Sequence, residues 1–286
     1  MTKYNTICLS GGGISGIAHL SILEFLNNHK IINFDKIKKY ISTSVGTIIS
    51  FLLIIGYKPK EIIDFINNFD FKNLNEDFDL DNLFTNYGLN SASKIIVTIQ
   101  TFLYNIIKKK DITFKQLQNK FKKSFGIIGT NLTLNREEYF SPETTPDMSV
   151  ILAIRISISL PILFTPVKLN NYLYVDGGIF NNFPMNYCNR KTTFGITIHN
   201  QYKNSINSIY NYISSIYDSI IKVNNTKNKY DKNNIIIYKG ITTYNLNNDI
   251  KKTLIQDGIN VARNFCQNKA EFIVYNIINE IIDQLN

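Results

Sequence analysis

Three glycine-bearing turns hold the residues whose types and spacing could do chemistry. The first, Ser10-Gly11-Gly12-Gly13-Ile14-Ser15-Gly16, matches G-x-G-x-x-G. Backbone N–H groups gathered at a helix start can cradle a pyrophosphate, hold a developing oxyanion, or merely close a tight strand-to-helix connection. The dinucleotide reading even has its acid about twenty residues further on, at Asp35. The second turn, Ile41-Ser42-Thr43-Ser44-Val45-Gly46, sets Ser44 between two small residues, Ser42 and Gly46. A nucleophile elbow has that shape, because strand and helix backbones approach closely and the serine hydroxyl is pushed outward. The usual pattern is G-x-S-x-G, and here Ser42 replaces its first glycine; a purely structural small-residue turn fits the same string. The third turn, Asp176-Gly177-Gly178, puts a carboxylate directly after an apolar run. That carboxylate could cap a turn, or act as a general base toward Ser44 if it comes within hydrogen-bond reach.

Other candidates are thinner. The order Ser44, Asp176, His199 is also that of an α/β-hydrolase triad, with His199 just after a strand-like run. His19 and His29 lie on or just past the first helix, where a packed or surface role is the default. Cys8, Cys188 and Cys266 are far apart in sequence and odd in number, without CxxC spacing. They point to a reducing compartment and no structural metal, and no cofactor is expected.

Positioning these turns requires a regular frame, and the hydrophobic pattern supplies one. Thr6 to Leu9 and Lys38 to Ile41 read as buried strands, each followed by a turn and a helix, Ile14 to Leu26 and Thr47 to Ile55. Pro59 opens another helix, Lys60 to Asn68. Phe69 to Asn90 has no clean period and reads as a long excursion, either a surface loop or a lid over a site. Helical spacing returns over Ser93 to Lys109, Thr113 to Lys123 and Met148 to Ile156, with an alternating strand at Ile127 to Leu134 between them. Tyr172 to Val175, Phe194 to Ile198 and Asn234 to Tyr238 read as strands, Ile206 to Val223 as a helix, and Asp249 to Leu285 as one or two amphipathic helices. Strands alternating with helices predict an α/β fold, a three-layer α/β/α sandwich with a mainly parallel central sheet.

Composition agrees with a folded enzyme-sized chain. The 286 residues are 44% hydrophobic and only 19% charged, enough for a sizeable core and against general disorder. Lys and Arg number 31 against 22 Asp and Glu, a net charge of +9 that favours anionic partners. Nucleic acid rests on that charge alone, with Lys108-Lys109-Lys110 and Lys120, Lys122 and Lys123 as its best patch. Solvated helix ends explain those lysines equally well, so no nucleic acid partner is expected. The N-terminus lacks the apolar stretch of a signal peptide. The most apolar window, Ile48 to Tyr57, falls well short of the roughly twenty residues that span a bilayer. A soluble, cytoplasmic protein is expected, with any membrane contact peripheral.

Four ordered blocks together resemble the patatin-like phospholipases. They are Leu9 to Leu20 around the first turn, Ser42 to Gly46 with the apolar helix and Gly56-Tyr57 after it, Ser157-Ile158-Ser159-Leu160-Pro161, and Tyr174 to Pro184 around Asp176-Gly177-Gly178. They lie in residues 7–190, with 191–286 completing one domain of 286 residues. The resemblance implies a Ser-Asp dyad, Ser44 as nucleophile and Asp176 as base, with amides of Gly11, Gly12 and Gly13 as oxyanion hole. Gly16, Ser42, Gly46, Gly177 and Gly178 would support these turns. It also implies calcium-independent hydrolysis of a phospholipid or other acyl-ester lipid through an acyl-enzyme, with the positive charge aiding docking on anionic membrane. Two positions depart from the family pattern: Ser42, and Ser15 where Arg or Lys is frequent. The alternatives are a catalytically silent patatin scaffold that binds anionic membrane, and the esterase triad through His199.

Overall fold

A computed structural model describes residues 4–69, 79–201, 206, 208–226, 234–241 and 246–285. Strand β1 (Thr6–Leu9) leads through a 3-10 turn (Gly13–Gly16) into helix α1 (Ile17–Asn28). Strand β2 (Lys39–Ser42) leads through Thr43 and Ser44 into α2 (Val45–Ile54), and α3 (Pro59–Asn68) follows. Next come α4 (Leu80–Asn86), β3 (Gly88–Asn90), α5 (Ser93–Ile107), α6 (Phe114–Phe121), β4 (Ser124–Asn131), β5 (Arg136–Phe140) and α7 (Val150–Ser157). The chain continues through β6 (Ile162–Phe164), β7 (Val167–Leu169), β8 (Tyr172–Asp176), α8 (Gly178–Asn181), β9 (Thr193–Asn200), α9 (Ile209–Thr226), β10 (Ile235–Gly240) and α10 (Asn248–Leu285).

Local chemistry sets several of these starts. In α3, Pro59 occupies the first helical position and the Lys58 N–H donates to Glu61 Oε2 at 2.7 Å. A capping box of Thr113 and Gln116 opens α6, and the Ser149 hydroxyl accepts from the Leu152 N–H at 2.9 Å to open α7.

The central sheet runs β10-β9-β1-β2-β4-β8-β7, with β5 also paired to β4. From β10 to β4 it is parallel, and it turns antiparallel at β5, β8 and β7. The expected α/β sandwich is therefore present, with an antiparallel margin that the sequence reading did not contain. Strands β5, β6 and β7 were missed because each is short and lacks a sustained alternation. The predicted alternation at Ile127 to Leu134 is replaced by β4, buried without interruption from Phe125 to Asn131. Strands covered on both faces have no solvent side to alternate toward.

Adjacent residues of β1 show that covering. Ile7 and Leu9 belong to the main core, while Cys8 between them packs on the other face with Phe183, Met185 and Ile235. Cys188 joins this second cluster, so two cysteines distant in sequence are neighbours, both as free thiols.

The stretch Phe69 to Asn90 is corrected in part. Its second half forms α4 and β3, and β3 pairs in parallel with β6; residues 70–78 lie outside the described residues. Lys251 of α10, only 3% exposed, donates from Nζ to the Phe69 carbonyl at 2.8 Å, a cation at the C-terminal end of α3. Among the described residues no helix is long and apolar enough to cross a membrane.

Candidate active site

Sheet register brings the second and third turns together. Ser42 pairs with Ile127 of β4, so the chain two residues on falls level with Gly129, and Gly129 pairs with Asp176 of β8. The Ser44 hydroxyl donates to Asp176 Oδ2 at 2.6 Å, across 132 residues of sequence.

Ser44 sits at φ 51° and ψ −130°, a conformation that L side chains rarely adopt and that costs on the order of 1–3 kcal/mol. Its surroundings hold it there. The Ser44 N–H donates to Ser157 Oγ at 2.9 Å, and the Thr43 hydroxyl donates to the Asn181 carbonyl at 2.9 Å. A Cβ on Gly46 would lie 2.7 Å from the carbonyl oxygens of both Leu9 and Ser10, so only glycine lets α2 cross the end of β1 this closely. Ser42 causes no such clash. Its side chain is fully buried and its hydroxyl pairs with that of Ser50 on α2 at 2.6 Å.

Asp176 is 1% exposed, and its second oxygen, Oδ1, accepts from the Tyr217 hydroxyl at 2.6 Å and from the Gly178 N–H at 2.8 Å. Burial pushes its pKa up from 3.8 to about 6, against the pull of the Ser44, Tyr217 and Gly178 bonds toward the ionised form. The Tyr217 phenol is itself pushed well above its ordinary value, by burial and by the carboxylate it faces. A carboxylate ionised near neutral pH and bonded to a turn hydroxyl can take that hydroxyl's proton.

The first turn faces the same space. Its Gly11 amide, counted on sequence grounds among the oxyanion donors, donates instead to the Asn182 carbonyl at 3.2 Å. What Gly11 contributes is clearance, since a Cβ there would reach the Ser44 Cβ at 3.0 Å and the Asn182 side chain. The amides of Gly12 and Gly13 have no hydrogen-bond partner among the described residues, and both glycines line one cavity with Ser44 and Asp176. Gly12 precedes and Gly13 opens the 3-10 turn that leads into α1, where N–H groups and the helix dipole favour negative charge. Gly12 must be glycine because a Cβ would lie 2.7–2.9 Å from the Ile198 side chain. Gly16 abuts Val45, Gly177 the Ile128 backbone and Gly178 the Tyr217 hydroxyl. Ser15 is fully buried and stitches the turn to the chain after β10: its Oγ donates to the Ile241 carbonyl at 2.9 Å and accepts from the Ile241 N–H at 2.8 Å.

The cavity measures about 680 Å³. Its apolar part lies among α2, α3 and α5, with Ile49, Ile62, Phe65 and Phe102 in its wall; its polar part includes His199, Asn200 and Asp218. Arg155 bonds Ser91 O at 3.1 Å, Thr165 O at 2.7 Å and the Ser159 hydroxyl, and so clamps the Ser157 to Pro161 block.

The alternatives fare differently. Among the described residues, the side-chain hydrogen bonds of Ser44 and Asp176 run to each other, to the Tyr217 hydroxyl and to the Gly178 N–H, so the triad through His199 is not assembled. Asp35 is exposed in a 3-10 turn ahead of β2, at the end of the strands away from the glycine turn, which removes the acid that the dinucleotide reading needs. His19 is fully buried with Nε2 3.0 Å from the Ser10 carbonyl, and burial lowers its pKa to about 4. The neutral ring thus donates to the strand end just before the glycine turn. Among the described residues no cluster of three His, Cys, Asp or Glu side chains could hold a metal ion. No sequence signal singles out Tyr217, one of many aromatic and apolar residues in α9, and the bond from Ser157 to the elbow joins positions 113 residues apart.

The family model of the patatin-like phospholipases matches residues 7–188. The chain is 36% identical over 239 residues to a protein named probable lipid hydrolase 463L of Invertebrate iridescent virus 6, spanning 78% of this chain and 79% of that one. It is 31% identical over 270 residues to the uncharacterised protein R571 of Acanthamoeba polyphaga mimivirus, spanning 88% of this chain and 89% of R571. The crystal structure of VipD from Legionella pneumophila superposes with a TM-score of 0.59 at 17% identity, covering 93% of this chain and 67% of VipD, a likeness of fold.

Proposed function

This chain belongs to the patatin-like phospholipase family, and from that premise we propose that it is a calcium-independent lipid acyl hydrolase using a dyad of Ser44 and Asp176. The observation that carries the reading is the 2.6 Å bond from the Ser44 hydroxyl to a buried carboxylate beside two unpartnered amides. Asp176 takes the Ser44 proton as Oγ attacks the acyl carbonyl. The Gly12 and Gly13 amides hold the negative oxygen that forms, supplying at a helix start the positive field that a metal-dependent esterase takes from its cation. As the tetrahedral intermediate collapses, Asp176 returns the proton to the departing alcohol and leaves an acyl-enzyme. A water then gives a proton to Asp176 and attacks the acyl carbon, and Ser44 recovers its proton as the fatty acid departs. The apolar part of the cavity takes the acyl chain.

The substrate is an acyl-ester lipid, phospholipid included, and the net charge of +9 assists docking on anionic membrane. Residues 1–286 act as one domain, a reading supported by β9 and β10 lying in the same sheet as β1 and by α10 packing on α1.

Purified protein given phosphatidylcholine vesicles in excess EDTA is expected to release fatty acid, and a fluorophosphonate probe is expected to label Ser44 on peptide mapping. Absence of both would refute the reading. The pH profile of kcat/KM is expected to fall off on the acid side near pH 6, as the carboxyl that must be ionised gains its proton. Tyr217→Phe removes a donor that favours the ionised form, so the acid limb should move upward by about one pH unit. A limb left in place by that variant would mean that the titrating base is not Asp176.

A further inference from the structure

The last two residues of β9 leave polar atoms buried in the cavity wall. His199 Nε2 and Asn200 Oδ1 are inaccessible to solvent and have no hydrogen-bond partner among the described residues, and both side chains line the cavity that holds Ser44 and Asp176. Buried polar atoms without partners are uncommon in native proteins, and where two adjoin a catalytic cavity a ligand is the natural partner. Their place, at the carboxyl end of a parallel strand, is the edge on which open α/β sheets take ligands.

Neighbours decide what that ligand offers. The Asn200 Nδ2 donates to Asp218 Oδ1 at 3.1 Å, which orients the amide so that Oδ1 is an acceptor. A Cβ at Gly240 would lie 2.6 Å from Oδ1, so glycine at that position is what leaves room for this oxygen. Burial lowers the pKa of His199, leaving a neutral ring at neutral pH that can accept a hydrogen bond and carries no charge for an anion. An amide oxygen and a neutral imidazole are acceptors suited to hydroxyl groups, and the cavity lining beside them carries both the Asp218 carboxylate and Lys222.

We propose that His199 and Asn200 form a leaving-group subsite that binds the free hydroxyls of the alcohol part of the ester, which makes a monoacyl glycerolipid the preferred substrate. The inference rests on the lipid hydrolase reading for its chemistry, whereas its test reads binding alone. A 1-O-decylglycerol ether and decyl methyl ether share the alkyl chain, lack an ester and differ in their free hydroxyls. Calorimetry below the micellar concentration is expected to give the wild type at least about tenfold tighter binding of the glycerol ether. His199→Phe and Asn200→Leu should each bring the two ligands within about threefold of one another, chiefly by weakening the glycerol ether.

Binding of the methyl ether reports an intact cavity in each variant, and if Asn200→Leu unfolds, His199→Phe decides alone. Equal affinities in the wild type, a preference that survives in a folded variant, or displacement of the glycerol ether by millimolar inorganic phosphate would each overturn the assignment. Failure of the hydrolase reading shows elsewhere, as absent acid release and absent labelling of Ser44.

Discussion

Replacing Ser44 by alanine is expected to lower acyl-ester hydrolysis by at least about a thousandfold while the protein stays folded. The substitution removes one oxygen, the only atom of this turn that is both bonded to the buried carboxylate and free of the backbone network. The Cβ remains, so packing against Gly11 is kept, and the N–H to Ser157 Oγ bond does not involve the side chain. Alanine at φ 51° is as strained as serine, so no relaxation of the elbow is expected. The Gly12 and Gly13 amides survive and account for whatever rate remains above that of water. Fatty-acid release from vesicles in EDTA, beside circular dichroism of both proteins, measures the effect; a variant that keeps a tenth of the activity would remove Ser44 from the mechanism.

Asp176→Asn should be comparably inactive, for a different reason, and should raise stability at alkaline pH. An asparagine side chain can keep the neighbouring geometry: its oxygen accepts from Tyr217 and Gly178, and its amide donates to Ser44 Oγ. What it cannot do is accept the Ser44 proton, and a loss of at least about a thousandfold follows. The stability effect has the opposite sign to an ordinary paired carboxylate. Because the folded-state pKa is raised from 3.8 to about 6, the folded protein holds this proton more tightly than the unfolded chain does. Stability from this group is therefore fully present below about pH 4 and lost as pH rises through about 6, about 3 kcal/mol in all. The uncharged amide carries no such penalty, so at pH 8 the variant should be the more stable by on the order of 1–3 kcal/mol, with the difference shrinking toward pH 4. Urea unfolding of both proteins at pH 4 and pH 8 reads this directly. A variant less stable than wild type at pH 8 would mean that the carboxylate's hydrogen bonds outweigh its burial.

The two departures from the family pattern show what local residues settle and what they leave open. Ser42 looks like a weakened elbow until its hydroxyl is found paired to that of Ser50 on α2, eight residues on. Ser15 looks like a lost positive charge until it is found bonded in both directions to Ile241, across 226 residues. In neither case does a neighbour in sequence predict the partner.

The residues alone determined the strand-turn-helix units, because short continuous apolar runs and helical stripes of period 3.6 are local properties, and glycines mark the turns between them. They also determined Ser44 and Asp176 as the groups worth watching, since each stands in a turn whose small residues allow close backbone approach. Only the tertiary structure decided the rest. The antiparallel margin of the sheet depends on pairings between distant segments, and those pairings put Asp176 level with Ser44. Commitment of the Gly11 amide to Asn182, the Tyr217 bond that restrains the carboxylate, and the unpartnered atoms of His199 and Asn200 all arise where separate elements meet. A hydrogen bond is decided by distance and direction to within a few tenths of an ångström, and that precision exists only after the chain has packed.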